Sequence, residues 1–411
     1  MPPAKPERRE QGRAIVIGGS MSGLFAGLML RAAGWQVDIY EKVEDELSGR
    51  GAGIVAQPEI LAALEALGLE TQDLGVAVDT RRLFDASGHR VLETDCPQMM
   101  TAWERVYRIL RDAFPTQHYR QGRSLRAIEQ SPDNVTAIFA NGERISADIL
   151  IGADGIRSTV RGLCAADAQP LYAGYIAWRA LIDESAMPRD IHRDIFPVMA
   201  FCLPPGEQIL GYPVAGADND LRLGHLRYNM IWYRPADEDT ELVSLLTDEK
   251  GARHSMSIPP PLISRASIAA MREAARRVLA PQFVKAIDVV DQPLLQPIFD
   301  LESKRLAFGR IAIIGDAAFV ARPHVGGGVA KAAGDADALT IALSENSDVC
   351  AALLQFESAR LPVGRQMIQR ARHLGAYLQA QRTSEEAAHS ARHSIPEAVL
   401  AETATLDFLY A

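Results

Sequence analysis

The stretch Ala14–Leu30, AIVIGGSMSGLFAGLML, decides the fold. Ala14 to Ile17 is a short apolar run ending at Gly18, the pattern of a strand buried on both faces of a parallel sheet. After Gly23 the apolar residues Leu24, Leu28 and Leu30 recur among small ones, and Gly34 stops the segment as a helix terminator. The stretch therefore reads as strand, glycine turn and helix. Against the pattern G-x-G-x-x-G, Gly18 and Gly23 fill the outer places and Ser20 stands in the middle one.

Next, QVDIYEK alternates Val37, Ile39 and an acid, Glu41, a second strand ending in a carboxylate. Glu41 follows Gly23 by 18 residues, close to the roughly 20-residue spacing of dinucleotide-binding βαβ units. The spacing has a physical reason. A helix N-terminus offers unpaired N–H groups and a positive dipole end to a pyrophosphate, and the acid accepts from ribose hydroxyls. Ser20 hinders close approach of the backbone because it carries a Cβ, and its hydroxyl compensates by donating to a phosphate oxygen. Gly18, Ser20, Met21, Gly23, Glu41 and Lys42 are therefore candidate binding residues. An acid at position 41 disfavours a 2′-phosphate and fits an adenosine with free ribose hydroxyls, from FAD or NAD.

Two further segments share this build. ADILIGADGIRSTVR (Ala147–Arg161) places a strand at Ile149–Ile151 before Gly152-Ala153-Asp154-Gly155 and a polar helix start. GRIAIIGDAAFVARPHVGGGVAKAAGDADAL (Gly309–Leu339) places one at Ile311–Ile314, then Gly315-Asp316, then a glycine-rich turn from Pro323 to Gly328 before a small-residue helix. Taken singly, either aspartate serves equally well as a turn residue or helix cap. Together and in this order the three motifs resemble the single-component flavin-dependent aromatic hydroxylases, the family that includes p-hydroxybenzoate hydroxylase, over roughly residues 14–345. GSMSGL, GRGAGIVAQPE, AWRALI, GYPVAG, WYRP and RPHVGGGVAKA, with the proline loop in ARHSMSIPPPLIS, most resemble its 2,6-dihydroxypyridine 3-hydroxylase branch.

The resemblance implies a set of roles. Asp316 would bind the ribityl chain or neighbouring phosphate of FAD, and Asp154 would sit near the pyrophosphate. Arg50 and Gly51, in SGRGAGI, would touch the flavin, as would Arg108 or Arg105, with Arg108 the preferred candidate, in TAWERVYRIL, where many relatives carry an arginine aligned near Trp103. Pro323 would lie over the reaction zone, and the backbone of Gly326, Gly327 and Gly328 would cradle the isoalloxazine. A flat ring needs side-chain-free backbone beside it, and N–H groups at the Val329 helix start stabilise negative charge on reduced flavin. NADH or NADPH would act as a transient reductant, O2 would add to give a flavin hydroperoxide, and an ionised hydroxy-aromatic or hydroxypyridine would take the oxygen. His324, directly after Pro323, is the candidate substrate-facing base.

Residues 170–240 change character: YAGYIAWRALI, FPVMAFCLP, ILGYPVAG and LRLGHLRYNMIWYRP are β-branched and aromatic runs cut by Pro and Gly. That is the signature of an antiparallel sheet, here expected to roof the flavin. Tyr212, His225, Tyr228 and Trp232 are the candidates for lining a pocket beneath it. His225 and Tyr228 have opposite parity, so at most one faces the pocket, with Arg227 on His225's face. The catalytic candidates are His324, His225, Tyr212 and Pro323.

Composition sets the remaining bounds. A chain of 411 residues implies two domains or one elaborated domain. The net charge of -9 disfavours nucleic-acid binding. No apolar run approaches the roughly 18 residues of a membrane span. The start, MPPAKPERREQGR, has no apolar core and reads as a short disordered tail, not a secretory signal. Cys96, Cys164, Cys202 and Cys350 are scattered, which suits idle thiols in a reducing cytoplasm. After Asp337 the apolar spacing is helical, and the apolar end LDFLY reads as docking on a subunit partner, in a homodimer, or as fraying. His389 and His393 are four apart, but with no third ligand nearby they read as a solvated face, and no metal is expected.

The expected fold is α/β: a Rossmann-like FAD-binding domain with an inserted antiparallel β-sheet substrate domain and a C-terminal helical segment. The FAD-binding parts are placed at 13–75, 100–169 and 295–345, the substrate-domain strands at 76–99 and 170–294, and the C-terminal helices and tail at 346–411. The rival readings are an oxidase, halogenase or ubiquinone-type hydroxylase on the same scaffold, or a flavin-binding sensor without turnover. A W-x-W-x-I-P signature of tryptophan-type halogenases is absent.

Overall fold

The computed structural model describes residues 12–47 and 53–410. The strand Arg13–Ile17 is central in a six-stranded sheet because its apolar residues are buried on both faces. It pairs in parallel with Gln36–Tyr40 on one side and Ile149–Gly152 on the other, and Ile311–Ile313 extends the sheet in parallel beyond that. Tyr119–Arg120 forms one edge, and the antiparallel Ala307–Phe308 forms the other. The register aligns Tyr40, Ile17, Gly152 and Ile313 across the sheet, so motifs far apart in sequence end in one row. That row is the carboxyl edge, where ligands bind in open parallel sheets. The helices Met21–Ala32 and Gly328–Glu345 pack together beside it.

A second, nine-stranded sheet runs in the order Phe319–Val320, Leu294–Glu302, Leu171–Asp183, Arg227–Pro235, Gln208–Val214, Met199–Cys202, Val76–Phe84, Arg90–Ala102, Gly53–Val55. It is antiparallel except where Met199–Cys202 lies parallel to Val76–Phe84. Its membership departs from the expected domain limits. Gly53–Val55, residues 295–302 of the strand Leu294–Glu302, and Phe319–Val320 were expected in FAD-binding segments but pair here, and Arg90–Ala102 runs past residue 99. Composition marks a strand without saying which sheet it joins, and in these segments the chain crosses between layers.

The two faces of this sheet have different partners. Trp178, Tyr228, Met230 and Trp232 pack against the helices Arg265–Val278 and Pro281–Asp288. Tyr175, Ala177, Leu210, Tyr212, Ile231 and Tyr233 stand on the opposite face. The long helix Val349–Gly375 is followed by Ser384–His393, started by a capping box between Thr383 and Glu386, and by Pro396–Glu402. The LDFLY end docks on the chain's own core: Leu406 is buried there, Phe408 and Leu409 pack against it, and the Tyr410 hydroxyl donates to Glu59. Its apolar residues thus find a partner within the chain. Among the described residues no helix is long and apolar enough to cross a membrane.

Candidate active site

A cleft of about 590 Å³ runs along the carboxyl edge of the parallel sheet. Two glycines let its floor close. Gly18 has φ of +109°, and a Cβ there would lie 2.3 Å from the Ala153 carbonyl oxygen; one on Gly23 would lie 1.9 Å from that of Gly18. Ser20 is different. Its φ of -90° and ψ of -164° suit any residue, and its side chain makes no capping bond to the helix that follows. The middle place of the fingerprint therefore tolerates a Cβ, and the hydroxyl and first-turn N–H groups are left for a ligand. Met21 is a buried wall and Lys42 an exposed rim residue of this cleft.

Glu41 is held by the backbone. One carboxylate oxygen accepts from Gly19 N–H at 2.8 Å and the other from Val43 N–H at 2.9 Å, which leaves a lone pair on each for a ribose hydroxyl. Asp154 both lines the cleft and caps a helix: it accepts from the N–H groups of Thr159 and Val160 at 2.7 and 3.2 Å and from the Ser158 hydroxyl. Burial raises its carboxyl above the usual range. Asp316 is open to the cleft and makes no hydrogen bond among the described residues. Desolvation by the surrounding protein raises its carboxyl too. Its turn is fixed from behind: Lys331 Nζ donates to Gly315 O at 2.8 Å and Asp335 at 3.0 Å, while Asp335 accepts from Gly315 N–H at 2.9 Å. The sequence reading missed this buried pair; an acid and a base four apart in a small-residue helix was the signal.

A second cavity of about 250 Å³ opens from the first, and Ile54, Arg179, Asp316, Gly328 and Val329 line both. Gly326 takes φ of +64° in the turn that begins at Pro323, Gly327 precedes the helix, and a Cβ at Gly328 would meet nothing within 4 Å. Three observations fit a flavin dinucleotide: the uncapped helix start after Ser20, the unpartnered Asp316, and bare backbone at Gly328 where the cavities join. The Arg50 and Gly51 expectations lie outside the described residues.

Tyr212, Tyr233, Met199, Leu210, Ile231, Pro323 and His324 line the second cavity. Burial pushes the Tyr212 hydroxyl up to about 12, so it stays protonated as a donor. His324 is 2% exposed, with Nε2 2.8 Å from the Tyr175 hydroxyl and its ring 4.4 Å from that of Tyr233. Burial and neighbouring Arg322 push it down to about 3. A ring so reluctant to hold a proton is a poor base for a ring hydroxyl, so its expected role gives way to that of a neutral hydrogen-bonding wall. Arg322 is itself committed, forked onto Asp300 at 2.9–3.2 Å with both side chains buried.

Arg179 was not foreseen. Its Nη1 donates to Gln296 Oε1 at 2.9 Å, and its buried Nε has no partner among the described residues. One ionisable residue inside the apolar run YIAWRALI was the available signal. Other expectations fail. His225 is in the turn before the strand Arg227–Pro235, exposed and 3.5 Å from Asp220, and lines neither cavity. Tyr228 and Trp232 belong to the outer face, because the register that pairs Tyr212 with Asn229 turns Ile231 and Tyr233 inward. Arg108 is at the surface, paired with Glu104 at 2.7 Å and Asp218 at 3.5 Å, while Trp103 lines the cleft in its place.

Comparison with known proteins gives the family. The FAD binding domain family matches residues 12–186, and the FAD binding domain-like family matches residues 172–300. The chain is 30% identical to 2,6-dihydroxypyridine 3-monooxygenase of Paenarthrobacter nicotinovorans over 89% of this chain and 91% of that protein. It is 28% identical to 3-amino-4-hydroxybenzoate 2-monooxygenase of Streptomyces cremeus over 88% and 86% of the two chains. The solved structure of 2,6-dihydroxypyridine-3-hydroxylase from Arthrobacter nicotinovorans superposes with a TM-score of 0.85 at 30% identity, covering 91% of this chain and 94% of that one. Klebsiella pneumoniae HpxO complexed with FAD and uric acid shares the fold at a TM-score of 0.73 and 22% identity, over 95% and 93% of the chains. The chain therefore belongs to the FAD-dependent aromatic hydroxylases, the single-component flavin monooxygenases.

Proposed function

We propose that this protein hydroxylates a single hydroxylated aromatic or N-heteroaromatic ring, dihydroxypyridine-like, using NADH or NADPH and O2. The observation that carries this reading is Arg179, a cation that lines both the flavin cleft and a small aromatic cavity. A volume of about 250 Å³ falls below the usual range for drug-sized ligands and suits one substituted ring. The relatives named for dihydroxypyridine and aminohydroxybenzoate chemistry act, by those names, on six-membered rings bearing a hydroxyl, which supports the same class.

Bound FAD supplies the oxygen-transfer chemistry, and Glu41, Ser20, Asp154, Asp316 and the Gly326–Val329 backbone would hold it. The chain's own groups account for the rest. Arg179 stabilises the ring oxyanion over the neutral hydroxyl, so the ring enters as the oxyanion with its proton left in bulk solvent, and an oxyanion is the better nucleophile toward an electrophilic oxygen. Tyr212 and Tyr233 flank the ring, Tyr212 as a donor, and neutral His324 orients without taking the proton. Thr403 and Ala404 close the cavity from the C-terminal segment and keep water out.

The test is reductant oxidation by purified holoenzyme with a panel of hydroxypyridines and hydroxybenzoates, with products identified by mass. The expected result is ring-stimulated oxidation of NADH or NADPH matched by a product one oxygen heavier. Oxidation that no ring stimulates, or peroxide without hydroxylated product for every ring, would overturn the reading.

A further inference from the structure

His389 and His393 are one turn apart on the helix Ser384–His393, so both imidazoles leave the same face. That face rests on the end of the helix Val349–Gly375, which presents His373. The rings of His373 and His389 lie face to face with centroids 3.5 Å apart, and His393 lies 6.0 and 6.3 Å from them. One ring nitrogen from each of the three lies within 4.8 Å of the others. This contradicts the solvated face expected for positions 389 and 393: His393 is buried, and His373 arrives as a third group from the neighbouring helix.

The surroundings of the three rings are selective. His393 Nδ1 is engaged by Glu402 Oε2 at 2.5 Å, which turns Nε2 outward with its lone pair available. A carboxylate behind an imidazole is the arrangement that fixes tautomer and orientation in metal sites. Neither the His373 nor the His389 imidazole makes a hydrogen bond among the described residues, and both residues edge a cleft of about 410 Å³ that offers a path from solvent. Nearby arginines are largely neutralised: Arg370 pairs with Glu402 at 3.5 Å, and Arg365 and Arg372 with Glu302 at 3.6 and 3.5 Å. Three clustered imidazoles, two of them without a side-chain hydrogen bond among the described residues, gain little from one another as plain packing.

We propose that His373, His389 and His393 bind a divalent transition metal of the Zn2+ class, with Glu402 orienting His393 and water completing the shell. Tetrahedral Zn–N bonds of about 2.0–2.1 Å place donor nitrogens roughly 3.3 Å apart. Binding therefore draws the three nitrogens together and turns the stacked rings of His373 and His389 edge-on. The metal ties the helix Ser384–His393 to the core, and this helix leads into the segment that closes the substrate cavity. There Ala404 N–H donates to the His324 carbonyl at 2.7 Å, and the Gln57 and Gln98 side chains donate to the Ala404 carbonyl at 3.0 and 2.8 Å. The site is thus a staple beneath the cavity's cover, independent of the oxygen-transfer reading.

The experiment is calorimetric titration of chelator-stripped holoenzyme with ZnCl2, with thermal unfolding followed with and without the metal. Wild type is expected to bind one Zn2+ per chain and to unfold at a higher temperature with it. His389→Ala, at a half-exposed position that keeps its flavin absorbance, is expected to lose both effects. Glu402→Gln is expected to weaken Zn2+ about 10- to 100-fold, the usual consequence of losing a partner behind a ligand. No saturable binding, or equal affinity in wild type and His389→Ala, overturns the proposal and marks any Zn2+ as adventitious.

Discussion

In the larger cavity the groups that face a ligand are backbone N–H donors and glycines at the ends of parallel strands; in the smaller one they are side chains standing on one face of an antiparallel sheet. The first surface comes from turns whose shape is fixed within a few residues, at Gly18–Ser22 and Ala153–Gly155, with Gly328 shared by both cavities. The second comes from Arg179, Tyr212 and Tyr233, on three strands that meet only through pairing. Substitution in the first works through space, because the backbone already touches itself. In the second it works through chemistry, because one charge and two hydroxyls mark an apolar wall.

Gly23→Ala tests the space-limited region most severely. Its Cβ would meet the Gly18 carbonyl oxygen at 1.9 Å, and overpacking of about 1–3 kcal/mol or more predicts a flavin-to-protein absorbance ratio reduced about tenfold or worse. A fully loaded Gly23→Ala protein would break the comparison. Arg179→Met tests the chemistry-limited region. Loss of hydrogen bonds from a charged group, about 1.5–3 kcal/mol, predicts kcat/KM lowered about 10- to 150-fold with the flavin spectrum unchanged. A drop confined to flavin content would move Arg179 into the first region.

His324→Gln sharpens the account of the wall between them. His324 is held near 3 when folded and near 6.5 when unfolded, so the unfolded chain binds the extra proton between these values. Its contribution is complete above about pH 6.5 and falls by roughly 1.4 kcal/mol per pH unit below that, fading toward pH 3. Denaturant unfolding at pH 7, 6 and 5 should show a shallower acid decline in His324→Gln than in wild type; equal slopes would mean that His324 titrates in the fold. The smallest effects are expected outside both cavities. Tyr228→Phe removes a buried hydroxyl without a partner, so kinetics should stay within about twofold and stability be level or slightly higher. His225→Ala, at an exposed turn, should behave alike in kinetics. A tenfold rise in KM for Tyr228→Phe would reverse the assignment of sheet faces.

The same division runs through what was legible in the chain. AIVIGGSMSGL, ILIGADG and AIIGDAA determined strand, turn and acid by themselves, because apolar runs and glycine turns are local chemistry. They also determined the parallel layer, since three such units can bury their strands only side by side. The face of the strand Arg227–Pro235 was not local. Its pairing with Gln208–Val214 sets the parity, a one-residue slip reverses every side chain, and the sequence left candidates of both parities open, of which the pairing turns Tyr228 and Trp232 outward. Arg108 gave way to Trp103 because helix rotation, not residue type, decides which side chain meets the cleft. Arg179 reaches Gln296 across 117 residues, Ala404 reaches His324, and His373 reaches His389 and His393 from another helix. Such meetings follow from how distant segments dock, and only the folded chain brings them together.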